Sequence, residues 1–131
     1  MVIVDTSAWI EYLRATGSEA HLRLRDLLTG DPAAVGTTGA VVMELLVGAA
    51  AADGERRLRA LLARHPHLAT RDPDDFERAA ALQRACRVQG ATVRTMVDCL
   101  IAAVALRVDA AVLAHDRDFE VLARHTALRL A

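Results

Sequence analysis

The sequence contains no lysine: all 16 residues counted as Lys or Arg are arginines. This absence excludes a P-loop, which requires a Gly-Lys pair, and a receiver domain, which requires a lysine late in the chain. The formal net charge is −1, so the chain is not the strongly basic body that coats nucleic acid by charge alone. Any contact with nucleic acid is therefore expected to be local.

Cysteine is also scarce. Cys86 and Cys99 are 13 residues apart with apolar neighbours, a spacing that fits neither a CxxC redox pair nor a set of zinc ligands. We expect both to be reduced, buried and structural.

Long apolar runs are missing as well. The apolar run 99–106 is far shorter than the roughly 20 residues that span a bilayer. The first apolar run, 2–4, ends at Asp5 with no basic segment before it, which is too early for a signal peptide. The sequence thus predicts a cytoplasmic protein without a membrane segment.

Short β-branched runs alternate with longer segments of helical period, which is typical of βαβ units and a parallel sheet. The 131 residues are 53% hydrophobic, a length and composition that predict one globular domain over residues 1–131. We expect an α/β fold with a short, mostly parallel sheet. The predicted strands are 2–4, 33–36, 67–70 and 110–115, with a candidate edge strand at 127–130; the predicted helices are 7–14, 21–28, 37–50, 55–65, 72–90, 97–108 and 117–125.

Two acids follow predicted strands. Asp5 ends the first strand and Asp116 ends the strand at 110–115. Ligands of open parallel sheets bind at the carboxyl ends of the strands, so these acids share one edge if their strands are neighbours.

Two further acids lie on apolar helix faces. The helical neighbours of Glu44 are alanine, valine and glycine, where an unpaired carboxylate is costly. Asp98 shares its face with Ile101, Ala102 and Ala105. We therefore expect Asp5, Glu44, Asp98 and Asp116 to point inward together. Gathered carboxylates repel one another and favour a hard divalent cation, Mg²⁺ or Mn²⁺, which activates water at a phosphate.

Structural roles compete with this interpretation. Asp5 and Asp116 are also suited to cap the helices that follow them, and Thr95 to Asp98 matches a capping box with Asp in place of Glu. Glu44, in mid-helix, has no such structural role. Arg94 lies one turn before Asp98 and either pairs with it or reaches a substrate phosphate.

Four segments in series resemble the PIN-domain ribonucleases, specifically the VapC-type toxins of toxin–antitoxin pairs. They are VDTSAWIEYLR at the start, the apolar helix ending in ELLVG, the block VRTMVDCLIAAVAL, and HDRDFEVLA near the end. The resemblance spans nearly the whole chain, while residues 50–90 are only generic helix.

The resemblance implies a three-layer α/β/α PIN-like fold and metal-dependent endonucleolytic cleavage of RNA. Asp5, Asp98 and Asp116 would hold Mg²⁺ or Mn²⁺, and Glu44 would complete the acidic cluster. Thr6 or Ser7 would support the site by hydrogen bonding, and Asp118 would either assist Asp116 or be only a helix-turn acid. Its partners would be a VapB-type antitoxin and a second copy of the chain.

The early helices carry apolar side chains in excess of what one small core is expected to cover. We expect this surface to serve the homodimer or the antitoxin complex. It comprises Trp9, Leu13, Leu22, Leu24, Leu27 and Leu28.

A phosphatase of the haloacid-dehalogenase type also places Asp after its first strand, but it needs a second Asp at position 7, where this chain has Ser7, and it is therefore rejected. The alternative that remains is a catalytically silent PIN-like module that binds RNA or protein.

Overall fold

Four short parallel strands form the centre of the computed structural model, which describes residues 1–131. The sheet has the order β3-β2-β1-β4, and β1 pairs in parallel with both β2 and β4. Parallel sheets are covered by helices on both faces, and Ile3 and Val4 of the central strand are accordingly fully buried. The strands are β1 (Val2–Val4), β2 (Val35–Thr38), β3 (His67–Leu68) and β4 (Ala111–Leu113).

Seven α-helices accompany the sheet, so the predicted three-layer α/β/α class is confirmed. None of the helices is long and apolar enough to cross a membrane. A short 3₁₀ turn, Pro32–Ala34, leads into β2. The helices are α1 (Thr6–Leu13), α2 (Glu19–Leu28), α3 (Gly39–Val47), α4 (Ala52–Leu62), α5 (Asp74–Val88), α6 (Met96–Arg107) and α7 (Arg117–His125).

The boundary between β2 and α3 was predicted wrongly. Thr37 and Thr38 were assigned to a helix, but they are the buried end of β2. The β-branched side chains suit a strand, and the Thr38 hydroxyl then caps α3 by accepting a hydrogen bond from the Val41 amide at 3.5 Å. At the C-terminus, the predicted edge strand is only a single bridge between Leu130 and Val112.

Helix α3 is only partly buried, although its sequence is largely apolar. Its inner face buries Val41 and Leu45, whereas Met43 and Val47 on the outer face are 55% and 84% exposed. These two side chains lie four residues apart on one face of the helix. The chain therefore presents an apolar surface on α3.

The early helices, by contrast, expose less apolar surface than predicted. Trp9 and Leu24 are fully buried because α1 and α2 pack against each other and the core, while Leu27 and Leu28 are half-buried. Leu13 and Leu22 are the two members of the set that remain exposed, at 49% and 40%.

Helix α6 lies in the centre of the core. The segment Ile101–Ala105 is completely or almost completely buried, and its three alanines allow close packing. Cys86 and Cys99 are both free and buried, as predicted. Burial raises the pKa of the Cys99 thiol to about 11, which makes it a poor nucleophile. Helix α6 thus holds its first turn, including Asp98, at a fixed position near the end of the sheet.

Candidate active site

Asp5 directly follows β1 and begins α1. Its amide donates a hydrogen bond to the Leu113 carbonyl at 2.9 Å, which ties it to the end of β4. Its Oδ2 accepts hydrogen bonds from the Ser7 amide at 2.9 Å and from the Ser7 hydroxyl at 2.5 Å. Burial raises the pKa of Asp5 in spite of these bonds, and the nearby charge of Glu44 raises it further.

Ser7 also joins the two strand ends. While its hydroxyl donates to Asp5, its oxygen accepts a hydrogen bond from the amide of His115 at 2.8 Å. One hydroxyl therefore fixes the carboxylate after β1 relative to the backbone that follows β4. This bond brings together residues that are 108 positions apart in the chain.

Asp98, in the first turn of α6, is buried with its Oδ2 lacking any hydrogen-bond partner. Desolvation raises its pKa to about 8, and repulsion from Asp5, Asp116 and Asp118 adds to the effect. An unpartnered buried carboxylate oxygen is costly. Its position among other acids suits a bound cation, which would supply the missing partner.

Asp116 and Asp118 lie where β4 is followed by α7. Oδ1 of Asp116 accepts the Asp118 amide at 2.9 Å and so caps the helix. Asp118 itself is buried, with its carboxylate turned towards the same site. One carboxylate oxygen from each of Asp98, Asp116 and Asp118 lies within 4.8 Å of the other two. These three acids form the tightest part of the cluster.

Glu44 approaches the cluster from α3. The Thr6 hydroxyl donates to its Oε1 at 2.9 Å, and Glu44 is close enough to Asp5 for its charge to act on that carboxyl. The side chain is only half-buried, not turned fully inward as predicted. It lines the edge of a groove of about 380 Å³ between α1, α3 and α4.

Asp5, Asp98 and Asp116 were each expected either to cap a helix or to belong to the acidic cluster. At Asp5 and Asp116 the two roles are compatible. Asp5 caps α1 through Ser7, and Asp116 caps α7, while both also face the other acids. At Asp98 the capping box is incomplete: Thr95 Oγ1 accepts the Asp98 amide at 3.2 Å, but one Asp98 oxygen remains unpartnered. Capping alone therefore does not account for the Asp98 carboxylate.

The sequence left the roles of two residues, Asp118 and Arg94, undecided. Asp118 lies within the tight group of acids, with its carboxylate buried rather than exposed in the helix turn. Arg94 pairs with Asp116 and Asp118, and not with Asp98. The double acid in the segment DRDF was the available signal for Asp118, but the sequence alone did not show which acid turns inward.

Known proteins resemble this chain over nearly its whole length. The PIN domain family matches residues 2–125. Over 131 residues, all of this chain, it is 44% identical to ribonuclease VapC11 of Mycobacterium tuberculosis and to VapC ribonuclease Mb1587 of Mycobacterium bovis, and covers 98% of each. A solved toxin–antitoxin complex from Klebsiella pneumoniae has a similar fold, with a TM-score of 0.70, 23% identity, and coverage of 91% of this chain and 90% of that chain.

Proposed function

Because the chain belongs to the PIN-domain family, within its VapC ribonucleases, we propose that it is a divalent-cation-dependent endoribonuclease acting as the toxin of a toxin–antitoxin pair. The family resemblance inferred from the four motifs is confirmed by these matches. The observation that carries the catalytic proposal is the buried Asp98 carboxylate, unpartnered at one oxygen and surrounded by further acids.

The residues of the cluster fit a hard cation. Asp98, Asp116 and Asp118 offer oxygens at mutually short distances, and Asp5 adds charge beside Asp98. A donor set of carboxylates without histidine favours Mg²⁺ or Mn²⁺ over zinc. When bound, such an ion polarises a phosphate oxygen and lowers the pKa of a coordinated water.

We assign Glu44 the role of the general base that takes up a proton. Thr6 fixes one carboxylate oxygen, Oε1, and no hydrogen bond occupies Oε2. Oε2 is therefore free to accept a proton from a water that attacks the phosphate of a bound RNA strand. Thr6 and Ser7 have supporting roles, because they orient Glu44 and Asp5 respectively.

Purified protein tests this proposal directly. We expect RNA cleavage with Mg²⁺ or Mn²⁺ and none in excess EDTA, since the chain itself would then lack the ion that polarises the phosphate and lowers the pKa of the attacking water. Attack by water, rather than by the substrate's 2′-hydroxyl, predicts fragments without 2′,3′-cyclic phosphate, which mass spectrometry of the fragments measures. Undiminished cleavage in EDTA, or cyclic phosphate ends, would contradict the mechanism. Absence of cleavage under all metal conditions would favour the silent binding module instead.

The groove beside Glu44 suits a VapB-type antitoxin. Apolar side chains such as Ile10, Leu45 and Leu58 line it, together with the exposed side chains of Arg14 and Arg57. Apolar grooves of this kind accept the apolar face of a helix. A segment bound here would reach Glu44 directly, so the antitoxin would cover the active site.

The homodimer is better placed on α3 than on the early helices. Met43 and Val47 form an exposed apolar surface there, whereas only Leu13 and Leu22 of the early set are exposed, and each less than Met43 or Val47. A dimer through α3 leaves Leu13, at the groove, free for the antitoxin.

Two charge substitutions separate these interfaces. Val47→Glu is expected to yield a monomer, because the added charge opposes apolar association, and this monomer should still bind a VapB-type antitoxin. Leu13→Glu is expected to remain dimeric and to lose the antitoxin. Light scattering and co-purification of each variant, with the unmodified chain as reference, measure both properties. A dimer that survives Val47→Glu, or an antitoxin that still binds Leu13→Glu, would refute the corresponding interface.

A further inference from the structure

Arg94 is the only basic side chain that forms an ion pair with the acidic cluster. Its Nη2 lies 2.8 Å from Oδ1 of Asp116, and its Nε lies 3.1 Å from Oδ1 of Asp118. Its backbone amide adds a hydrogen bond to the second oxygen of Asp118 at 3.1 Å. The guanidinium therefore forms ion pairs with two of the three acids whose oxygens lie closest together.

This arrangement gives Arg94 the role of a built-in counter-ion. The chain places five acids in and around the site, and the Arg94 guanidinium is the one positive charge in contact with them. The carboxylates that it contacts are those that a divalent cation would share with Asp98. Two cations on the same carboxylates repel each other, so binding of one disfavours binding of the other.

The two contacts of Arg94 differ in strength. Asp118 is buried, so its ion pair is little screened by water, whereas the Arg94 side chain is 62% exposed and Asp116 lies nearer the surface. Exposed pairs contribute little and are readily exchanged. The exposed guanidinium is therefore free to leave Asp116.

We propose that Arg94 competes with the divalent cation, directly for Asp116, which it can leave, and through its charge at Asp118, which it keeps, and thereby sets the metal concentration at which the site fills. This inference rests on the proposed cation site. It also predicts the direction in which the metal affinity changes. Loss of the guanidinium should strengthen metal binding, although it removes two ion pairs from the folded protein.

Calorimetric titration of Mn²⁺ into the RNA-free protein measures this competition without any need for cleavage. For Arg94→Gln we expect Mn²⁺ to bind roughly threefold to tenfold more tightly than to the unmodified chain, in line with the modest strength of partly exposed ion pairs. Arg94→Lys keeps the charge and should stay close to the unmodified affinity. The metal dependence of RNA cleavage should shift to lower concentrations in Arg94→Gln by a similar factor.

Arg117→Gln is the matched control. Arg117 is exposed, adjacent to Asp116 in the sequence, and forms no ion pair, so its substitution removes the same charge without removing a contact. Unchanged or weaker binding by Arg94→Gln, or equal tightening by Arg117→Gln, would overturn the inference while leaving the cation site intact. An unmodified chain that binds no Mn²⁺ would overturn both this inference and the proposed function.

Discussion

Asp98→Asn is expected to stabilise the metal-free protein near pH 8 and to abolish cleavage. The pKa of Asp98 is about 8 in the folded protein, and its ordinary value is 3.8. Between these two values the folded state binds more protons than the unfolded state, so the free energy of unfolding falls as the pH rises. The folded carboxyl is neutral at low pH, and the destabilisation is complete above about pH 8.

The expected size of this effect follows from the same shift. One proton contributes about 1.4 kcal/mol per pH unit, and water at the open side of the site screens part of the repulsion. The unmodified chain in EDTA should therefore lose a few kcal/mol, at most about 4, between about pH 5 and pH 8. The introduced asparagine carries no charge, and its amide can donate to a neighbouring carboxylate, so the variant should have a much flatter profile. Added Mg²⁺ should stabilise the unmodified chain and not the variant, because a ligand bound only to the folded state raises its stability.

Thermal melting in EDTA and in Mg²⁺ over this pH range measures the effect, with RNA cleavage assayed in parallel. Asp74→Asn is the matched control, because Asp74 is an exposed acid of α5 outside the cluster. A variant of Asp98 that melts lower than the unmodified chain in EDTA, responds equally to Mg²⁺ and still cuts RNA would show that the residue serves only the helix terminus.

Glu44→Gln is expected to lower the rate of cleavage by roughly 10²- to 10⁴-fold, the usual contribution of a general base. The substitution preserves the shape of the side chain, and Oε1 can still accept the hydrogen bond from Thr6. It removes the ability of the group to take up a proton. Stability should change little, and Mn²⁺ binding should remain measurable, because the three closest acids are left intact.

Single-turnover cleavage, measured over a range of Mn²⁺ concentrations up to saturation, is the decisive measurement for Glu44. Glu120→Gln is the control, since Glu120 is an exposed glutamate of α7 with no ion pair. If the loss in Glu44→Gln were recovered by raising the metal concentration, Glu44 would be a metal ligand rather than a base. Cleavage at the unmodified rate would remove Glu44 from the catalytic site altogether.

The periodic pattern of apolar residues in the sequence was sufficient to predict the fold class. Apolar runs with a period of two or 3.6 reflect which face of a strand or helix is buried, and that information is local. The strands β1 and β4 and the helix α7 were therefore predicted within a few residues. The error at Thr37 and Thr38 arose because β-branched residues next to an apolar helix carry both signals, and pairing of Thr38 with Leu68 decided the outcome.

In the candidate site, too, some features could be predicted from the sequence and others depended on tertiary structure. The sequence indicated Asp5, Asp98 and Asp116 as candidates because each follows a strand or lies on an apolar helix face, where an unpaired charge is energetically costly. The partners of Arg94 and the burial of Asp118 were decided by tertiary structure. They depend on how the loop before α6 meets the start of α7, 24 residues later, and no periodic pattern encodes that contact. The sequence thus determined which groups are candidates for the chemistry, and only packing decided which of them are in contact, because hydrogen bonds and ion pairs act over a few ångströms between segments that are distant in the chain.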